Sequence, residues 1–254
     1  MNKKIVLLTL VSVFSLSAMI VTSSAQPRIV GVNVGDWFKY GDITVTWSSN
    51  DSNASFPPPG YEGWEELNET EWISYSVEDI SSTNITFQST EHFKNGTERT
   101  ESGYIDIDTG GGNMTYMAIS TNLDVNDTVY TSVDYTWKIN ETVTRTYPDG
   151  VRDTNHLNMT GEYSWTINET ECYYYYLINF YWDKSTGIFV ECSIEERNQT
   201  GDYLTTWSVL MGITDSNKWV VPEFPTWTSI LIVFVVITFA TAIYKRRLLK
   251  TPIH

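Results

Sequence analysis

Apolar and polar residues alternate along most of the chain, in short runs separated by turn sequences. Alternation with a period of two is typical of strands that bury one face and expose the other. The pattern predicts strands over residues 36–47, 73–78, 85–87, 104–107, 172–182, 188–194 and 203–213, with a loop over 48–63. Helical periodicity is nearly absent before residue 226. We therefore predict an all-β domain built on an antiparallel sheet, folded as a sandwich or as a curved half-barrel.

The clearest predicted hairpin turns at Pro148-Asp149-Gly150. We predict that Tyr147 faces Val151 across this turn. The same register places Arg145 opposite Asp153, which is a favourable cross-strand pair. The hairpin then has one apolar face and one polar face.

That register also sorts the residues on either side of the turn. Trp137 and Ile139 are expected on the apolar, buried face. Asn140 and Asn158 are expected on the polar, exposed face. A structure with Asn140 buried would contradict this arrangement.

A short sequence occurs twice. Tyr-Thr-Trp-Lys-Ile-Asn-Glu-Thr at 135–142 returns as Tyr-Ser-Trp-Thr-Ile-Asn-Glu-Thr at 163–170. Two copies are too few for a repeat architecture. They predict two similar strands of one sheet, with Trp137 and Trp165 on the same face.

The segment 172–182 is dense in aromatic residues, which make up seven of its eleven positions. Both of its faces are apolar, so we predict a central strand that is covered on both sides. Aromatic rings of this number form either a packed core or the wall of a ligand site. The residues expected in such a wall are Tyr174, Tyr176 and Trp182.

Cys172 and Cys192 are the two cysteines of the chain, and such a pair in an exported domain is typical of a disulfide. A hairpin in which Trp182 faces Ile188 would put Cys192 opposite Ile178. Cys172 would then lie about 20 Å away along the strand. A disulfide requires Cα atoms within about 7 Å, so bridging would need a bulge, a bend or a different neighbouring strand. The sequence leaves both arrangements open.

The two ends of the chain indicate export and anchoring. Residues 1–25 have a short basic start, an apolar run and small residues before the predicted cleavage point, as in a secretory signal. Residues 226–244 are uncharged and long enough to cross a bilayer as a helix. The basic tail 245–254 should remain in the cytoplasm. We therefore predict a single-pass membrane protein with an extracellular domain at 26–218 and a proline-containing linker at 219–225.

The predicted extracellular part is strongly acidic. The segment 26–221 carries 10 basic and 30 acidic residues, a net charge near −20. This charge would repel phosphates, so nucleic acid is not an expected partner. The same segment holds eleven Asn-x-Ser/Thr sequons, which predict N-glycosylation of an exported protein. The sequon asparagines are Asn50, Asn53, Asn68, Asn84, Asn95, Asn113, Asn126, Asn140, Asn158, Asn168 and Asn198.

No motif in the sequence assigns a catalytic residue. The triplet 108–110 reads Asp-Thr-Gly, but an aspartic protease needs a second such aspartate. Asp106 and Asp108 lack the ligand pattern of a calcium loop. His92 and His156 lack zinc-site spacing. We predict a protein that is not an enzyme and has no cofactor and no metal, although a hydrolase using scattered carboxylates stays a weak alternative.

The end of the chain resembles a known type of surface anchor. Val221-Pro222-Glu223-Phe224-Pro225, followed by the apolar span and Lys245-Arg246-Arg247, is similar to the PEF-CTERM-type C-terminal signals of archaeal surface proteins. The segments 31–37 and 182–187 look like those of uncharacterised archaeal secreted β proteins. They are also similar, more weakly, to the half-barrel of periplasmic lipoprotein carriers. The resemblance implies an archaeal envelope glycoprotein, and it carries over no catalytic residue.

Together these features predict a membrane-anchored, N-glycosylated cell-surface protein with a structural or binding role. Its expected partners are the lipid bilayer, other envelope proteins or a hydrophobic ligand. A carrier or sensor of hydrophobic ligands, with an aromatic-lined half-barrel, is the first alternative. An envelope hydrolase is the second.

Overall fold

A computed structural model describes residues 27–57, 63–132, 137–148 and 150–219. It consists mainly of β-strands with one short helix, α1, at Gly63–Glu69. The strands are β1 Trp37–Ser49, β2 Thr70–Ser81, β3 Asn84–Phe93, β4 Glu98–Asp106, β5 Glu141–Tyr147, β6 Gly150–Ile167, β7 Thr170–Asp183, β8 Phe189–Thr200 and β9 Tyr203–Ser216. The predicted all-β class is confirmed.

All nine strands belong to one antiparallel sheet in the order β4-β3-β2-β1-β9-β8-β7-β6-β5. The sheet consists of two meanders, β1–β4 and β5–β9, which are joined by the pairing of β1 with β9. The edge strands β4 and β5 do not pair with each other, so the sheet is open. The described residues form this one sheet and not the two packed sheets of a sandwich.

One face of the sheet, called the inner face here, carries the hydrophobic core. Phe38 and Tyr40 of β1, Phe87 of β3 and Trp182 of β7 are fully buried on it. The connection between β4 and β5 packs against these residues and contributes its own core side chains, which are Ile107, Met117, Ala118, Ile119, Leu123, Val129, Tyr130 and Ile139. Trp182 Nε1 donates a hydrogen bond to the carbonyl of Tyr116 in this connection, at 2.7 Å. The connection therefore covers one end of the inner face.

The other face, called the outer face here, carries charged and polar side chains that stack on an aromatic ring and form an ion pair. The ring of His156 stacks on Tyr181 with 4.3 Å between centroids, and the guanidinium of Arg145 lies 4.2 Å from the same ring. Arg145 also donates two hydrogen bonds to the carboxylate of Glu191. The prediction of a solvated face is wrong for this part of β6, since Arg152, Thr154 and His156 are all buried.

The register of the β5–β6 hairpin differs by one residue from the prediction. Tyr147 pairs with Gly150, so Val151 lies opposite Thr146 and is 69% exposed while Tyr147 is buried. Gly150 has a φ of +136°, which glycine adopts readily, and this allows a turn of only two residues. The predicted pair of Arg145 and Asp153 is therefore wrong. Arg145 lies opposite Arg152 instead, and it finds its carboxylate partner on β8.

The predicted sorting of Ile139 and Asn140 is confirmed, since Ile139 is buried and Asn140 is exposed. The interpretation of the repeated sequence is wrong. Trp137 lies outside the named strands and packs against Tyr116, with 5.1 Å between ring centroids. Trp165 lies in β6 and is 42% exposed. The two similar sequences thus take different local structures: Trp137 packs on the core beside an isolated bridge of Lys138 with Thr128, whereas Trp165 lies in a fully paired strand.

Two further differences concern helices. Helix α1 was not predicted, and its Trp64 packs against Trp207 of β9 with 6.4 Å between centroids. Among the residues that the structure describes, no helix is long and apolar enough to span a bilayer. The predicted signal 1–25, the span 226–244, the tail 245–254 and all of the linker except Trp219 lie outside the described residues.

Candidate binding surface

Three tyrosines form a cluster on the inner face, away from the core. Tyr163 of β6 pairs with Tyr174 of β7, and Tyr176 follows on the same face. Their ring centroids are 6.0–6.3 Å apart, and the plane of Tyr163 is tilted by 21° from each of the other two. Tyr174 is eight residues from Trp182, or about 26 Å along the strand. The tyrosine cluster therefore lies at the opposite end of the sheet from Trp182.

A glycine makes room for this cluster. Gly161 of β6 pairs with Tyr176. A Cβ at position 161 would lie 2.5 Å from Cε1 of the Tyr176 ring, so the ring occupies the space of a side chain. A hydrogen bond with Tyr163, together with partial burial, raises the pKa of the Tyr176 hydroxyl. The three rings are thus held to the sheet and to one another.

A buried carboxylate lies beside the cluster on the same face. Glu196 of β8 pairs with Tyr176 of β7 and with Trp207 of β9, and it is only 6% exposed. Tyr174 donates its hydroxyl hydrogen bond to Oε2 of Glu196 at 2.6 Å. The Tyr174 ring therefore has a fixed orientation.

An apolar strip connects the tyrosine cluster to the core. Met159, Ile178 and Ile194 lie side by side on neighbouring strands of the inner face, and each is half-buried. Half-buried apolar side chains in a continuous strip offer a surface to an apolar partner. The strip and the tyrosine cluster together form the candidate binding surface.

The three residues predicted to form one ligand wall lie in two separate places. Tyr174 and Tyr176 belong to the tyrosine cluster, whereas Trp182 is fully buried in the core under the β4–β5 connection. The expectation that β7 is covered on both faces is wrong: residues 173–181 are all half-buried. Sequence reasoning missed Glu196 and Tyr163, because a register across three strands brings them to Tyr174.

The two cysteines are free and buried, which contradicts the predicted alternative of a disulfide. Cys172 pairs with Thr200 and Cys192 pairs with Phe180. The two thiols are thus eight residues apart, or about 26 Å along β7. A bulge between Tyr181 and Trp182 shifts the register from the predicted one. Burial first, and then the nearby carboxylate of Glu191, raise the pKa of Cys192 to about 12.

All eleven sequon asparagines lie in the described residues, and none of them is buried. Three are half-buried, Asn68, Asn84 and Asn158, and the others are exposed: Asn50, Asn53, Asn95, Asn113, Asn126, Asn140, Asn168 and Asn198. By contrast Asn155, which is not in a sequon, is 1% exposed and donates its amide hydrogen bond to the carbonyl of Leu123. No sequon asparagine is therefore enclosed in the core.

The acidic residues that the structure describes are spread over the domain. Within the described ranges, no group of three or more His, Cys, Asp and Glu side chains is arranged to hold a metal ion. Asp106 instead accepts hydrogen bonds from the Asp108 amide and the Thr109 hydroxyl in a turn. Partial burial opposes the ionised form, but these bonds and one from Thr83 hold the pKa of Asp106 below its usual range.

At each end of the described part of the sheet lies a cleft. One of about 860 Å³ lies at the tips of the β6–β7 and β8–β9 hairpins, where Trp165, Tyr173 and Glu171 line it. The other, of about 460 Å³, lies beside Arg152 and Trp219, whose ring is 3.8 Å from the Arg152 guanidinium.

Comparison with known protein families and with curated proteins gives no match to this chain.

Proposed function

We propose that the chain is a membrane-anchored, N-glycosylated cell-surface protein whose β domain has a structural or binding role outside the cell. The observation that carries this proposal is the position of the sequons: eleven asparagines on the surface and none in the core. A core asparagine would be closed to the glycosylation machinery. The excess of 30 acidic over 10 basic residues in the segment 26–221 also suits an exposed, highly solvated surface.

In this proposal, the two ends of the chain determine where the protein is located. Residues 1–25 direct export, residues 226–244 span the membrane, and the basic tail 245–254 stays in the cytoplasm. The resemblance to PEF-CTERM-type signals supports an envelope location in an archaeal cell. The described domain ends at Trp219, seven residues before the proposed span, so it would stand directly on the membrane surface.

The proposal is tested with the full chain in a host that performs N-glycosylation. We expect glycosidase treatment to increase its electrophoretic mobility. We also expect protease added to intact cells to remove the domain and leave a short membrane-bound fragment. A full-length, unmodified protein that survives protease on intact cells would contradict both parts. A tagged cytoplasmic protein serves as the control for cell lysis.

A second candidate function is the transport or sensing of a hydrophobic ligand on a half-barrel. The strip of Met159, Ile178 and Ile194 beside the tyrosine cluster favours it, because these side chains stay half-buried. Binding of a fluorescent fatty acid would test it. Ile194→Gln should weaken binding, whereas Leu210→Gln on the outer face of β9 should not. Equal binding by the two variants would exclude this surface.

A further inference from the structure

One sequon asparagine lies directly beside the tyrosine cluster. Asn198 of β8 is the register partner of Tyr174, which in turn is the partner of Tyr163. The three residues therefore form one row across three strands of the inner face. Neighbouring strands are about 4.8 Å apart, so Tyr163 lies about 10 Å from Asn198.

The other sequons in the described strands have different surroundings. Asn84 lies opposite Asp106, and Asn158 lies opposite Asn179, to which it donates its amide hydrogen bond at 2.8 Å. Asn198 is exposed and faces an aromatic ring. On its other side lie Thr205 and the buried Trp207. The exposed ring of Tyr203 also lies on this side, diagonally from Asn198, but the direct register partner of Asn198 is Tyr174 of β7, with the exposed Tyr163 of β6 behind it.

The exposed ring of Tyr163 needs an explanation. Its side chain is 55% exposed beside two other tyrosines, and soluble domains keep such aromatic patches small. The face of an aromatic ring is electronegative and attracts positively polarised C–H groups. One face of a pyranose ring consists of such C–H groups. A sugar can therefore pack its C–H face on this surface.

We propose that Asn198 carries an N-linked sugar whose first residues lie on Tyr174 and Tyr163, so that the protein's own glycan covers the tyrosine cluster. This inference rests on the proposed function, because it requires export and glycosylation. The row from Asn198 to Tyr163 spans two strand spacings, about 10 Å, which the first two sugar residues can cover. Glu196 holds the Tyr174 ring in place through the bond at 2.6 Å.

The modification itself is an ordinary group transfer. The Nδ2 atom of Asn198 forms a bond to the anomeric carbon of the sugar and loses one proton. The bond between that carbon and a phosphate oxygen of the activated sugar donor breaks, and the phosphate leaves with the electron pair. The donor is a lipid-linked sugar phosphate, and a glycosyltransferase of the host catalyses the step.

The test compares sequon-removing variants that keep every asparagine in place. Thr200→Val removes the Asn198 sequon, and Ser55→Ala removes the Asn53 sequon in an exposed loop as the matched control. Both are combined with Tyr163→Thr, which removes an exposed ring. The full chain is made with and without N-glycosylation, occupancy is measured by mass spectrometry, and thermal unfolding is recorded.

In the glycosylated protein, we expect Thr200→Val to lower Tm by about 2–4 °C, the range typical of one lost packing interaction in a domain of this size. Ser55→Ala should leave Tm unchanged. The effect of Thr200→Val should disappear in the Tyr163→Thr background and in the unglycosylated protein.

The outcomes separate the two proposals. If no sequon carries a sugar, the proposed function fails. If other sequons are occupied but Asn198 is not, this inference fails and the proposed function stands. The same holds if Asn198 is occupied and Thr200→Val changes Tm equally with and without the Tyr163 ring.

Discussion

The ring of Tyr176 lies across Gly161 on the neighbouring strand, in the space that a side chain at position 161 would fill. Glycine alone weakens a strand because it loses much conformational freedom and offers no side chain for packing. An aromatic ring laid over it restores those contacts. The pair therefore stabilises β6 and positions the tyrosine cluster with one contact.

This contact predicts that the effect of Gly161→Ala on stability changes sign when the Tyr176 ring is removed. We expect Gly161→Ala to destabilise the fold by about 1–3 kcal/mol, since the new methyl group displaces the Tyr176 ring. In a Tyr176→Ala background the same substitution should be stabilising by about 0.5–1 kcal/mol, because only the backbone effect remains. Urea unfolding of the four proteins measures both values. A loss of equal size in both backgrounds would show that the ring is not responsible.

Trp182 should be the more costly of two tryptophans on the inner face. Trp182→Phe removes the donor to the Tyr116 carbonyl, and a buried unsatisfied acceptor costs about 1–3 kcal/mol, with a cavity cost in addition. Trp165→Phe, at an exposed position of β6, should stay within about 0.5 kcal/mol. Denaturant midpoints compare the two. Similar losses would contradict the division of the inner face into core and open ends.

The cysteines should be inert in the folded protein. Both are buried, and the pKa of Cys192 is raised to about 12, so its reactive thiolate is scarce at pH 8. We expect no alkylation by iodoacetamide until denaturant is added, and then two modified thiols per chain by mass spectrometry. A reducing agent should leave Tm unchanged. A drop in Tm on reduction would indicate a disulfide and contradict the register of β7 with β8.

Stability should fall in alkaline solution. Burial first, and then the charge of Glu91, raise the pKa of Tyr75 from about 10 to about 12. The unfolded chain therefore loses this proton at lower pH than the folded protein, so stability is intact below pH 10 and is lost as pH rises from 10 to 12. Two pKa units correspond to about 3 kcal/mol. Tyr75→Phe should flatten the decline in urea midpoint over this range, and an unchanged slope would exclude Tyr75 as its source.

Alternation of residue types predicted the class of the fold and most of the strands well. Asn95-Gly96, a residue pair that favours tight hairpin turns, lies at the turn between β3 and β4, with Gly96 at a φ of +83°. Alternation fixes the face of a residue relative to its own strand, but a one-residue slip at a turn moves it relative to the next strand. Tyr147 and Gly150 show this, because the turn is one residue shorter than the predicted pairing of Tyr147 with Val151 requires.

The candidate surface was harder to predict, because it depends on pairings between distant strands. Tyr174 and Tyr176 were singled out by their aromatic neighbours in sequence. Glu196 lies twenty residues after Tyr176, and the sequence around it is typical of a surface acid. Only the register of β7 with β8 brings it within hydrogen-bond distance of Tyr174. The sequence similarly gave no sign that the segment around Trp137 is held by Tyr116 and not by a strand.

The pairing of β1 with β9 affects the order in which the strands of the sheet can pair during synthesis and folding. Trp47 and Trp207 are partners across this central ladder, 160 positions apart in the chain. Contacts of such high sequence separation slow folding, because the long intervening chain must be closed first. Until β9 has been synthesised, β1–β4 and β5–β8 are two incomplete sheets with exposed edges. The sheet is therefore completed at its centre and by its last strand.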